Sequence, residues 1–329
     1  MSKRLPTPSF AGSDELALDQ GNGRNPVGLI CAANEARFTS GFYSEQLTGY
    51  TVGWRDPENI DAILQRLFPE VMVGRRFDFK KALNSEAFLS ETDDLRPIGA
   101  PFKRVEYKGT SASDKTYNRG LTVAIDHDET DDVESLVTLS VDRLLQRLKR
   151  NSLRRGLAIL DGADHAEGNT AFKSDTNPDG LLRAIARLSA DTTGVYPNVY
   201  AIGELAWHYR LDAYEAATRL NQNRAAFTPE QLAQYLGADV VQIVKARYQS
   251  TATAKAATLG ARVYAYLALQ GASKDDPSAV KRFVSSARGG LKYGVYRQDF
   301  EKFTEVSVEC YENIVVTGIG VESIDVTTS

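Results

Sequence analysis

The densest run of ligand-type side chains in this 329-residue chain is Asp126-His127-Asp128-Glu129. An imidazole set among carboxylates could hold a divalent cation or act as an acid–base pair, but only if three or four groups converge on one point. Alternate residues of a strand face opposite sides, and carboxylates ahead of a helix satisfy its first amides. The run is therefore read as the approach to a helix. His165 falls in a loop-like Gly162-Ala163-Asp164-His165 and His208 in a helical stretch, each without a partner at motif spacing. Gly289-Gly290 with Lys292 could cradle a phosphate, although a glycine pair more often simply frees a turn. The two cysteines, Cys31 and Cys310, make neither a disulfide framework nor a Cys-x-x-Cys zinc site. A reducing cytoplasm suits them. The phosphate loop, the dinucleotide Gly-x-Gly-x-x-Gly, the Gly-x-Ser-x-Gly elbow and His-Glu-x-x-His are all missing from the sequence. These residues assign no catalytic group, no cofactor and no metal, so function must be sought in shape.

Composition agrees with a folded, unspecialised surface. Lys and Arg number 39 against 43 Asp and Glu, a net charge of −4, so no global basic excess draws the chain to nucleic acid or anionic lipid. Hydrophobic residues make 42% and charged residues 25%, ordinary globular usage. No apolar run is long enough for a membrane span, and the N-terminus lacks the apolar core of a signal peptide.

The elements that must position any site follow from periodicity. Residues 1 to about 55 are rich in Gly, Pro, Asn and Ser and show no clear period, which predicts an arm without its own core. Ile60, Ile63, Leu64 and Leu67 recur at helical spacing, stopped by Pro69. Arg75 to Leu83 alternates, with Phe77 and Phe79 on one face, and Phe102 to Lys108 alternates again, placing Val105 and Tyr107 opposite Arg104. The long connection between them predicts a projecting hairpin over 75–108, with too little apolar surface to stand alone and so lying on another chain. From Asp131 to about Asp161, Val133, Leu136, Val137, Val141, Leu144, Leu145 and Leu148 mark one very long helix, with a capping-box-like Asp131 and Glu134 at its start and Gly162 as its C-cap. Its basic run, Arg147, Lys149, Arg150, Arg154 and Arg155, is read as a solvated face, because no aromatic residues interleave. Helices after Asn177-Pro178, around Trp207 and after Thr228-Pro229, with strands at 195–203, 239–248 and 262–269, predict an α/β unit; alternation at 305–310 and apolar residues at 314–326 predict closing strands.

The order of these parts resembles the HK97-like major capsid proteins of tailed bacteriophages. Local matches are Leu121-Thr122-Val123-Ala124-Ile125-Asp126 leading into the helix that ends Leu157-Ala158-Ile159-Leu160-Asp161-Gly162, then Tyr196-Pro197-Asn198-Val199-Tyr200-Ala201-Ile202-Gly203 ahead of Trp207, Thr228 to Tyr248, and Tyr311-Glu312-Asn313-Ile314-Val315-Val316-Thr317-Gly318. The resemblance implies an α+β fold: an N-terminal arm and short helix over 1–74, an extended loop over 75–112, a peripheral domain of 113–175 and 291–312 containing a spine helix at 131–161, and an axial domain of 176–290 and 313–329. It implies a virion shell protein, assembled in the bacterial host cytoplasm, whose partners are further copies in pentamers and hexamers, a separate scaffolding protein, a portal protein and packaged DNA bound without sequence specificity, with no membrane. Candidate contacts between subunits are Phe77, Phe79, Phe88, Leu89, Phe102, Arg104 and Tyr107. Some relatives join subunits by a Lys–Asn isopeptide bond; Lys80, Lys81, Lys103 and Asn313 are present here, but no matching acidic catalyst motif accompanies them. An encapsulin-like compartment and a soluble metal-assisted enzyme built on His127 remain as alternatives.

Overall fold

A computed structural model describes residues 42–81, 95, 96, 98, 99, 101, 110–129, 132–172, 176–216, 224–251 and 253–327. The first element departs from the expected arm. Helix α1, Glu45–Gly53, starts on Ser44, whose hydroxyl accepts from Leu47 N, and Thr48 is fully buried, its hydroxyl accepting from Val295 N at 3.1 Å. α1 has no apolar stripe; polar and backbone bonds seat it, which is why periodicity misses it. Helix α2, Ile60–Leu67, follows as expected and buries Ile60, Leu64 and Leu67.

Two five-stranded sheets carry the rest of the described chain. The first joins β1 (Glu70–Met72), β4 (Tyr117–Asp126), β11 (Val280–Ser285), β12 (Tyr293–Asp299) and β13 (Phe303–Val316). β13 is the axis, with β4 antiparallel along one edge and β12 then β11, also antiparallel, along the other. The second has the order β5 (Asp164–Ala171), β14 (Val321–Thr327), β10 (Arg262–Tyr266), β6 (Val199–Gly203) and β7 (Val240–Val244), parallel at its two outer pairs and antiparallel within. The hairpin root is a separate pair, β2 (Arg76–Lys81) and β3 (Thr110–Lys115), and β8 (Arg247–Gln249) pairs β9 (Lys255–Ala257).

Helix α3, Val133–Ala163, links both cores. Its 31 residues span about 46 Å at 1.5 Å each. Val137, Val141, Leu144, Leu145 and Leu148 pack on Ile125, Val295, Val306 and Val308 of the first sheet. Leu153, Leu157 and Leu160 join α2, Phe68, Tyr264 and Tyr266 in a second core. The opposite face of the second sheet is closed by α4 (Pro178–Thr193), α5 (Glu204–Ala216) and α6 (Pro229–Leu236), through Leu182, Ile185, Ala206, Ala213 and Leu232 against Tyr200, Ile202, Val263 and Ile324. Local chemistry sets these ends: Asn177 caps α4, the reciprocal bonds of Thr228 and Gln231 cap α6, and Gly237 closes it at a φ of 70° that favours glycine.

Several boundaries move. Gly162 lies inside α3 instead of capping it, and Asp132 Oδ1 accepts from Ser135 N at 3.1 Å; Asp131 is outside the described residues. The alternation at 305–310 does not leave a wet face, because both sides of β13 are covered. Glu309 accepts from the Tyr296 hydroxyl at 2.7 Å and Asn118 Nδ2 at 3.0 Å, and Ser307 bonds Thr122. Val280–Ser285, expected in the axial portion, pairs instead with β1 and β13, β13 runs unbroken through the expected boundary at 312/313, and β5 adds to the second sheet.

Candidate functional site

The β2–β3 pair, which stands where the sequence predicts the root of a projecting hairpin, is built on the first sheet. Alternation in β2 turns Phe77 and Phe79 inward, where their rings lie 4.3 and 5.6 Å from that of Phe283, with Val71 beside them. Arg76, Asp78 and Lys80 face outward, and the Ser113 hydroxyl donates to Asp78 across the pair at 2.6 Å. Lys80 N donates to Asp275 and Thr116 N to Arg75 O, while the Arg75 guanidinium sits 4.2 Å above the Tyr311 ring. These contacts hold the β2–β3 pair against the body.

The contact candidates divide accordingly. Phe77 and Phe79 are 6% and 3% exposed, their apolar area already covered within the chain, so they anchor the hairpin instead of offering a surface to a neighbour. Phe88, Leu89, Phe102, Arg104 and Tyr107, and the whole expected strand Phe102 to Lys108, lie outside the described residues. The strand that pairs β2 here is Thr110–Lys115. Apolar side chains that the described chain leaves bare in this region are Leu95, 83% exposed, and Ile98, fully exposed. The signal for them was that Leu95 and Ile98, like Phe88 and Leu89 before them, are apolar residues in a connection that shows no strand or helix period.

The residues with chemical potential are engaged structurally. Asp126 accepts from Asp128 N at 3.0 Å at the end of β4. His127 Nε2 lies 2.9 Å from the Thr304 hydroxyl, which donates to Asp299 at 2.8 Å, so Nε2 is left to donate to Thr304. Burial raises the Asp299 carboxyl, but the bonds from Arg297 and Thr304 prevail and hold it below the ordinary range. Among the described residues no group of three or more His, Cys, Asp or Glu could hold a metal ion. Cys310 is buried in β13, its thiol pushed up to about 12 by desolvation and then by Glu312, which keeps it protonated. At Gly289, φ is 83° and a Cβ would strike the Tyr43 hydroxyl, while Lys292 is paired with Glu70 at 2.7 Å; the glycine pair makes a turn. Asn313 Nδ2 donates to Lys115 O, binding β13 to the hairpin root.

No family model and no curated protein matches the sequence. Solved structures do. A phage-related protein from Bordetella bronchiseptica RB50 superposes with a TM-score of 0.63 at 16% identity, over 86% of this chain and 97% of that one. The capsid of Myoviridae Phage XM1 superposes with a TM-score of 0.50 at 13% identity, over 81% of this chain and 92% of that one. What they share with this chain is the fold, a mixed α+β one. It is the HK97-like capsid fold that the order of elements in the sequence resembles.

Proposed function

We propose that this chain is the major capsid protein of a tailed bacteriophage or prophage, a subunit that assembles with its own copies into an icosahedral shell around double-stranded DNA. The observation that carries the reading is that the shared fold covers nearly the whole of a phage capsid subunit, 92% of its length, and not one module of it. Leu95 and Ile98 support it: two aliphatic side chains without cover, beyond a hairpin root riveted to the body, are what an overlap with a neighbouring subunit would bury. Many such modest contacts gain strength through multivalency. The part played is structural, with a scaffolding protein and a portal as partners during assembly in the host cytoplasm and the virion capsid as its final place.

The test is assembly. Full-length protein, expressed alone and with a scaffolding protein from its own gene neighbourhood, is expected to sediment as large particles that negative-stain microscopy resolves as closed shells of five- and six-membered rings. Monomers or dimers under every assembly condition would remove the reading.

A further inference from the structure

The basic run of α3 does not simply face solvent. It forms one wall of a cleft of about 1010 Å³, whose other wall is the segment from β7 to β9. Arg143, Arg147 and Arg154 come from the helix, and Lys245 and Lys255 from the opposite wall; all five are exposed, and none has a carboxylate partner among the described residues. Arg150 and Arg247 are present too, each paired with one carboxylate, Glu58 and Glu204 respectively. A net acidic chain thus concentrates seven cations in one concavity against a single lining carboxylate, Glu58. Self-repulsion at that density is offset when a polyanion enters.

Its chemistry narrows the ligand. Spacings of four, three and four residues from Arg143 through Arg147 and Arg150 to Arg154 lay guanidinium groups along one helix face for about 16 Å. At 3.4 Å of helix axis per phosphate, one strand of a DNA duplex presents about five phosphates over that length. The aromatic group that the helix lacks arrives from β8: the Tyr248 ring lies 3.9 Å from the Arg154 guanidinium carbon, making a stacked cation–aromatic platform inside the cleft. Gln146, Asn151 and Gln249 add neutral amides suited to phosphate oxygens.

We infer that this cleft is a sequence-independent binding site for the phosphodiester backbone of DNA, carried by Arg143, Arg147, Arg154, Lys245 and Lys255. It rests on the shell reading only for where the DNA comes from. Fluorescence anisotropy on unassembled full-length protein with a mixed-sequence duplex of about 20 base pairs should show a log–log salt slope near −4.5 for five phosphates, hence a loss of about 500-fold in affinity between roughly 50 and 200 mM salt. Arg143→Gln/Arg147→Gln/Lys255→Gln should flatten the slope by about 2.7, whereas Arg187→Gln/Lys274→Gln/Lys302→Gln, an equal change in net charge at exposed positions elsewhere, should leave it unchanged. Three results would each overturn the inference: an unaltered slope in the cleft variant, equal losses in both variants, or tighter binding of polyglutamate of matched charge, which marks an acidic protein segment as the occupant. Sedimentation of the same preparations separates the two readings. Shells without cleft-dependent DNA binding remove the cleft alone; cleft-dependent binding by a chain that never assembles removes the shell alone.

Discussion

Replacing a glycine inside a long helix with alanine ordinarily stabilises it by about 1 kcal/mol, by lowering the backbone entropy lost on folding. Gly156 of α3 should behave in the opposite way. A Cβ built there lies 2.5 Å from Phe68 Cε2 and 2.6 Å from Phe68 Cζ. The ring has no free space to enter, since Phe68 is fully buried in the core that α2, α3 and the second sheet share. Relief needs a movement of about 1 Å in a close-packed interior, and overpacking of this kind costs about 1–3 kcal/mol. Set against the helical gain, Gly156→Ala should destabilise by up to about 2 kcal/mol, and by about 2–4 °C in melting temperature for each kcal/mol in a domain of this class. Thermal unfolding of unassembled protein, followed by circular dichroism, measures it. In a Phe68→Leu background, which lacks the outer ring atoms, the same Gly156→Ala change should turn stabilising. A higher melting temperature for Gly156→Ala in the native background would mean that α3 and the Phe68 ring do not meet at this point, and the reasoning would fail.

Asp179 and Arg210 form a two-pronged ion pair at 2.7 and 3.1 Å, both effectively without exposure, so Asp179→Ala should cost about 3–5 kcal/mol in urea unfolding while Asp179→Leu/Arg210→Met costs much less; equal losses would show that the stranded charge is not the cause. Leu144→Asp places a carboxylate against the first sheet and should cost several kcal/mol, visible as insoluble or unfolded protein, whereas wild-type melting would mean that the buried stripe is misplaced. Burial raises the Glu70 carboxyl, but Arg282 and Lys292 outweigh it and hold it below the usual range, so its stabilisation is complete above the ordinary glutamate pKa and lost as pH falls through the lower folded value; Glu70→Gln should flatten the acid limb of the stability–pH curve, and an unchanged limb would discount the triad. Deleting Ser85 to Ile98 should leave the circular dichroism of both sheets intact while impairing shell formation in negative stain, and normal shells would rule the loop out as an inter-subunit contact.

Local rules were enough for the elements that carry their own signal. Pro178 after Asn177, the reciprocal pair Thr228 and Gln231 with Gly237 beyond them, and the apolar stripe from Val137 to Leu148 each specify a helix within one or two turns, because caps and side-chain spacing act over three or four residues. Alternation likewise placed β2 and turned Phe77 and Phe79 to one side. It did not say what that side would meet. Only the tertiary structure brought Phe283, some 200 residues later, against those rings, which converted two presumed surface contacts into an internal anchor. The same distance in sequence separates β1 from β11, and no periodicity encodes a partner so remote, since many apolar strands would satisfy the same pattern. α1 escaped notice because its attachment is polar, through Thr48 and Val295. The cleft depended on the tertiary structure most of all: α3 declared its arginines, but Lys245, Tyr248 and Lys255 line the same concavity only because β7 pairs with β6 and α2 packs on α3, and charges gain a common field when the fold gathers them around one space.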